Sequence, residues 1–269
     1  MGQRFALALA LVAGSVTAAA QQTSNSVFLE NLTWVEVRDA VAAGKTTAIV
    51  PTGGTEQNGP HMVLGKHNIL VKYKAGEIAK ALGNAIVAPV VAYVPEGEVP
   101  GAKPATGHMR FPGTITIPED VYEKVLEYAA RSLRAAGFVD IAFIGDSGGN
   151  QAGQQAVSER LNKEWAGTNV RVHHITDYYP GRGDAIAMAN GLTKEEVGGH
   201  AGSQDTTSFL YLDPSQLRVD KFVVGKPNDG QGHTGDPSKA TAYIGKLILE
   251  AQIDDAAKQI QRLRVTSRQ

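Results

Sequence analysis

Cysteine is absent from the 269-residue chain. Disulfides, thiolate zinc sites and cysteine nucleophiles are therefore excluded. An excess of charge of one sign is missing as well. The 26 Lys and Arg nearly balance the 27 Asp and Glu, for a formal net charge of −1. Bulk charge thus implies no basic face for neutralising phosphates, and nucleic acid is not an expected partner. Beyond the N-terminus, no segment stays apolar for the roughly 20 residues that a membrane span requires. No internal repeat and no domain linker is visible. What remains is an ordinary globular balance, 42% hydrophobic and 20% charged, long enough for one sizeable core.

The first twenty residues differ from the rest. Arg4 supplies a short positive region, Phe5 to Ala13 an apolar run, and Thr17-Ala18-Ala19-Ala20 the small residues that precede a cleavage site. This is the pattern of a signal peptide over residues 1–20, which implies a periplasmic or secreted protein with no membrane span in its mature form. Residues 21–30 are polar and expected to be loose. Residues 31–269 are expected to form one domain.

Along that domain, apolar β-rich runs alternate with helical spacing. Thr33 and Glu36 form a capping box for a helix that stops near Gly44. Strands are predicted at 46–50, 86–94, 114–117, 140–145 and 170–175, and helices at 68–82, from Pro118 to Gly137, at 151–165, 183–190 and 203–212, and at 238–264. Such alternation argues an α/β fold, a mostly parallel central sheet with helices on both faces. In open sheets of this kind ligands bind beyond the carboxyl ends of the strands. The glycine-rich segments 51–67 and 145–150 both follow strands and so fall at that mouth.

Three motifs carry candidate chemistry. Gly145-Asp146-Ser147-Gly148-Gly149 spells the nucleophile signature of trypsin-like proteases. Its setting, the end of a parallel strand, is not that of the antiparallel barrels which the protease needs. Glu56, His61 and His67 crowd one loop, and carboxylate with imidazole suits zinc or manganese. His200 and Asp205, five residues apart, can border one pocket.

Taken in order, Thr33-Trp34-Val35-Glu36-Val37, Gly54-Thr55-Glu56-Gln57, Gly59-Pro60-His61, Leu64-Gly65, the stretch from His108 to Thr114, Gly148-Gly149-Asn150, His200-Ala201-Gly202 and Gly235-Asp236-Pro237 resemble the creatininase family. The resemblance implies a three-layer α/β/α sandwich, often a hexamer, that hydrolyses cyclic amides with two divalent ions. It implies ligands at a Glu-x-His pair, an Asp after the Leu-Gly turn, a His before Gly-Gly-Asn, and an acid after the His-Ala-Gly motif. Here Glu56 matches the Glu, Asn58 stands for the His, His67 for the Asp, Ser147 for the second His, and Asp205 for the later Glu.

The implied site is therefore a single Zn or Mn ion held by Glu56, His67 and Asp205, with Asp146 as a fourth ligand. His200 matches the family's proton donor. Asn58, His61, His108 and Asn150 are expected to contact substrate or orient ligands. The implied activity is hydrolysis of a small cyclic amide, lactam or lactone. Two alternatives stand beside it: a metal-free protein that binds a small molecule, and a chemistry in which Ser147 is the nucleophile with a nearby histidine.

Overall fold

The structure, a computed structural model, describes residues 26–101 and 106–266. The expected signal peptide and residues 21–25 lie outside the described residues, as do 102–105 in the loop after residue 96. Helix α1 (Trp34–Ala42) begins at the capping box: Glu36 N–H donates to Thr33 Oγ1, and the Glu36 carboxylate accepts from Thr33 N. Strand β1 (Thr47–Thr52) and helix α2 (Lys66–Leu82) follow. Then come β2 (Ala85–Val87), α3 (Glu119–Ala135), β3 (Asp140–Gly145), α4 (Gln151–Glu164) and β4 (Arg171–His174). The chain ends in α5 (Gly183–Ala189), α6 (Lys194–Val197), α7 (Ser203–Leu212) and the long α8 (Ala242–Thr266).

The four strands pair in parallel in the order β2-β1-β3-β4. Side chains alternate across a sheet, so each strand supplies both faces. Ala48, Val50, Ile141 and Phe143 pack with Tyr122, Leu126 and Ala130 of α3 and Val157 and Leu161 of α4. Ile49, Ala142 and Ile144 pack with Val71, Ala75 and Ile78 of α2 and Ala256 and Ile260 of α8. The three-layer sandwich expected from the alternation is thus present. Among the described residues no helix is long and apolar enough to cross a membrane.

Three predicted segments differ. The strand expected over 86–94 ends at Val87, with a bridge from Val91 to Thr52 beyond it; Ala88 N–H donates to Ile49 O and Val91 N–H to Pro51 O, one residue more than a regular ladder, so the segment around Pro89 bulges out of register. The strand expected at 114–117 is reduced to one bridge between Ile115 and Thr55. Residues 26–30, expected to be loose, are tied down: Val87 N–H donates to Val27 O at 2.7 Å and Phe28 packs against the α2 face of the core.

The chain passes from β1 to β2 on one side and then crosses back from β2 to β3 on the other side of β1. The crevice between the carboxyl ends of β1 and β3 is where such a sheet opens. Thr52 and Gly145 end the two strands side by side, so the loop with Glu56 and the turn with Asp146 and Ser147 meet there.

Candidate active site

A pocket of about 410 Å³ opens at that crevice and is lined mainly by polar side chains. Glu56 sits at its centre, buried at 3% exposure. Two glycines permit the approach of the segment carrying Glu96. A Cβ on Gly54, which adopts φ +150°, would stand 2.0 Å from Glu96 Oε1, and one on Gly149 would stand 2.1 Å from Pro95 O. The close packing brings Glu96 Oε2 to 3.1 Å from Ser147 Oγ, whose hydroxyl donates to it.

The inner wall is a network of buried charges. His67 Nε2 lies 2.8 Å from Glu56 Oε1, and its Nδ1 lies 3.0 Å from Asp146 Oδ2. Both ring nitrogens donate, one to each carboxylate. Asp146 Oδ1 also accepts from Lys74 Nζ and, at 2.6 Å, from Tyr178 OH. Lys66, 2% exposed, reaches between two acids, with Nζ 3.0 Å from Asp205 Oδ2 and 3.5 Å from Glu56 Oε1. Asp205 Oδ2 also accepts from Ala201 N at 2.7 Å. That bond helps hold Ala201 at φ +49°, a left-handed conformation uncommon outside glycine.

Burial opposes each of these charges, and neighbours decide the outcome. Burial alone would push the Glu56 and Asp146 carboxyls up. The Lys66 ammonium and the His67 hydrogen bond hold Glu56 well below the usual carboxylate range, and Lys74 and His67 do the same for Asp146. For His67, burial and Lys66 oppose the charged ring, but hydrogen bonds to Asp146 and Glu56 push it up to about 9. Glu96 has no such support. Burial and the adjacent Glu56 charge push it up to about 8, so it keeps its proton at neutral pH.

The outer wall is built differently. His108 Nε2 lies 3.6 Å from Glu56 Oε2 and His200 Nδ1 lies 3.7 Å from Glu56 Oε1. The three donor atoms lie within 4.8 Å of one another. His200 Nε2 donates to Gln57 O at 2.8 Å, which leaves the Nδ1 lone pair facing Glu56. Burial, then Lys66, holds His200 down at about 4, so its ring is neutral at pH 7. His108 is the group that has to adjust, because its Nδ1 sits 2.9 Å from Gln57 Nε2; a ligating Nε2 requires Nδ1 to carry the proton instead.

These positions test the ligand set implied by the family resemblance. Glu56, His67 and Asp205 do not converge on one ion. Both nitrogens of His67 already meet carboxylates, and Lys66 Nζ stands between Glu56 and Asp205. Asp146 is paired with Lys74 and Tyr178 and is not a fourth ligand. The family's own two-ion ligand set is therefore not reproduced, although Glu56, His67 and Glu96 form a second group of donor atoms within 4.8 Å of one another. A single ion does fit the donors Glu56, His108 and His200. Ligands around one tetrahedral zinc stand about 3.3–3.5 Å apart; each histidine approaches one oxygen of Glu56 to within a few tenths of an ångström of that, and the three donors together lie within 4.8 Å.

The remaining expectations divide. His200 and Ser147 line the pocket, but a neutral His200 directs its one N–H at Gln57 O and lacks the imidazolium proton of a general acid, and the Ser147 hydroxyl is bonded to Glu96 and not to a histidine. Of the expected substrate contacts, His108 lines the pocket. Asn58 does not: fully buried, it donates to Glu56 O and Val63 O and closes its own loop. His61 is also fully buried and bonds Ala201 O at 3.0 Å, tying that loop to the turn before α7. Asn150 caps the turn after β3 by accepting from Ser147 N. Sequence reasoning missed Lys66, Lys74 and Glu96. The two lysines share a helical face with buried Leu70, and that four-residue spacing was their signal.

The family model for creatinine amidohydrolase matches residues 30–260. Over 237 residues the chain is 28% identical to a mycofactocin precursor peptide peptidase of Mycolicibacterium smegmatis, covering 80% of this chain and 84% of that protein. A creatinine amidohydrolase of Pseudomonas putida is 30% identical over 118 residues, 41% of this chain and 44% of that one. A crystal structure of creatinine amidohydrolase superposes with a TM-score of 0.74 at 22% identity, covering 90% of this chain and 99% of the other. A manganese form of creatininase gives 0.75 at 22% identity, covering 90% and 100%. These structural likenesses concern the fold.

Proposed function

The chain belongs to the creatininase family, and from that premise we propose that the pocket hydrolyses an amide bond of a small polar molecule with the help of one divalent ion. A cyclic amide or lactam, or a lactone cleaved at its ester bond, is the proposed substrate class, and the protein is proposed to act after export, in the periplasm or outside the cell, as a homo-oligomer. Relatives named as a creatinine amidohydrolase and as a peptidase support amide chemistry. The observation that carries the reading is the convergence of Glu56, His108 and His200 at the open end of β1 and β3.

An ion held by those three side chains supplies Lewis-acid polarisation of the scissile carbonyl. The chain's own groups do the rest. His200, neutral and oriented by Gln57 O, is a ligand in this reading. Glu96, protonated on the pocket wall, donates to the leaving nitrogen as water adds to the carbonyl carbon, and regains its proton from that water. Ser147 orients Glu96 by its hydrogen bond. The buried charges already balance without an ion, so a bound ion leaves the pocket positive. A substrate carboxylate offsets that charge, which favours amides that carry an acidic group.

Elemental analysis of protein purified without chelator, together with a panel of cyclic and linear amides, tests this reading. About one ion per chain, with hydrolysis lost on chelation and restored by Zn²⁺ or Mn²⁺, is expected. Hydrolysis that survives complete removal of metal would sink it. The same charge balance favours a second reading, a metal-free protein that binds a small polar ligand. Calorimetric binding of a panel compound without turnover, by protein free of metal, would establish that one instead.

A further inference from the structure

We propose that the Lys66 ammonium is a built-in replacement for one of the two divalent cations implied by the family pattern. The location rests on the reading of the pocket as a cation site; the count of ions does not. Three observations support it, and the first is position. Lys66 Nζ lies on the pocket wall, 3.0 Å from Asp205 Oδ2 and 3.5 Å from Glu56 Oε1. It bridges two carboxylates from different parts of the chain, as a shared metal ion would.

The second observation is the fate of the matching donors. At 58 an amide is bonded to backbone carbonyls, at 147 a hydroxyl is bonded to Glu96, and at 67 an imidazole lies between two carboxylates. With Lys66 in place none of the three offers a free lone pair to an ion; with it removed, Glu56, His67 and Glu96, whose donor atoms lie within 4.8 Å of one another, are the donors left beside Asp205. The changes at 58 and 147 agree with each other: each removes a ligand of the family pattern, and the ammonium stands beside Glu56, the ligand that is kept.

The third is charge. Glu56, Asp146 and Asp205 bring three negative charges to this wall. Lys66, Lys74 and a His67 ring that must donate from both nitrogens bring three positive ones. A buried carboxylate without a counter-charge is costly, and a lysine supplies that charge permanently, independent of metal supply. Adding a divalent ion to this wall would create uncompensated positive charge at low dielectric. Removing Lys66 would open both a space and a charge for it.

The test is the number of ions bound by the full mature chain, loaded with Zn²⁺ or Mn²⁺, desalted and measured by mass spectrometry. Lys66→Gln is expected to bind one ion more per chain than wild type, and Lys66→Arg, which keeps the charge, the same number as wild type. A folded Lys66→Gln with an unchanged count would overturn the proposal, and so would two ions in wild type. If Lys66→Gln folds poorly, Zn²⁺ or Mn²⁺ should raise its melting temperature by several degrees more than that of wild type or Lys66→Arg. No such selective rise would count against the proposal. The wild-type count, one or zero, judges the single-ion reading separately from the increment.

Discussion

Glu56 divides the pocket into two flanks of opposite character. On the inner flank every charge has a buried partner: His67 with Glu56 and Asp146, Lys74 with Asp146, Lys66 with Asp205 and Glu56. On the outer flank His108 and His200 approach the same carboxylate at 3.6 and 3.7 Å, too far for a hydrogen bond. The inner flank is finished as protein structure. On the outer one the facing donor atoms of Glu56, His108 and His200 are joined by no hydrogen bond. In the proposed function one carboxylate serves stability on one side and chemistry on the other, and substitutions on the two flanks should separate these roles.

The largest expected effect is on the inner flank. Asp146→Asn leaves Lys74 and His67 without their shared carboxylate, and removing one partner of a buried pair costs about 3–5 kcal/mol. Chemical denaturation should show that loss, and a loss under about 1 kcal/mol would erase the proposed contrast. His200→Ala should do the reverse. Catalysis should fall at least about 100-fold, the upper range for a group that only supports a metal ligand, while the denaturation midpoint stays near wild type.

A pH series sharpens the comparison. The Asp146 carboxyl is held below its unfolded value, so its stabilisation is complete above the unfolded pKa, about 3.9. It is lost as pH falls below about 4, through the lower folded value. The stability gap between wild type and Asp146→Asn should therefore narrow in acid. A gap that stays constant from neutral pH down to acid denaturation would assign the cost to something other than charge. The smallest effect concerns Asn58. Asn58→Ala removes two buried hydrogen bonds and should cost about 1–3 kcal/mol of stability with KM unchanged. A raised KM at full stability would return Asn58 to the substrate.

Much of the fold was legible because its signals are local. The Thr33 and Glu36 box, the apolar run ending β1 and the glycine after α2 each report on a few neighbouring residues. The predicted helices 151–165 and 203–212 match α4 and α7 closely for that reason. The edges failed where context decided: the segment after Val87 reads as strand by composition, yet one extra residue between Ala88 and Val91 breaks its register with β1. The site was legible in part. Glu56 reads as a ligand in the loop after β1, whereas His200 reads as a proton donor and His108 as a substrate contact, and only the fold brings the three together. Lys66 and Lys74 look in sequence like the solvated face of an ordinary helix.

By itself the sequence determined the layered α/β architecture, the family kinship and the crevice where chemistry belongs, since periodicity and ordered motifs are written along the chain. Only the tertiary structure decided which side chains share charge. His67 meets Asp146 across 79 positions and Lys66 meets Asp205 across 139. Electrostatic pairing depends on distance in space and on burial, and neither is a property of a residue's neighbours in sequence.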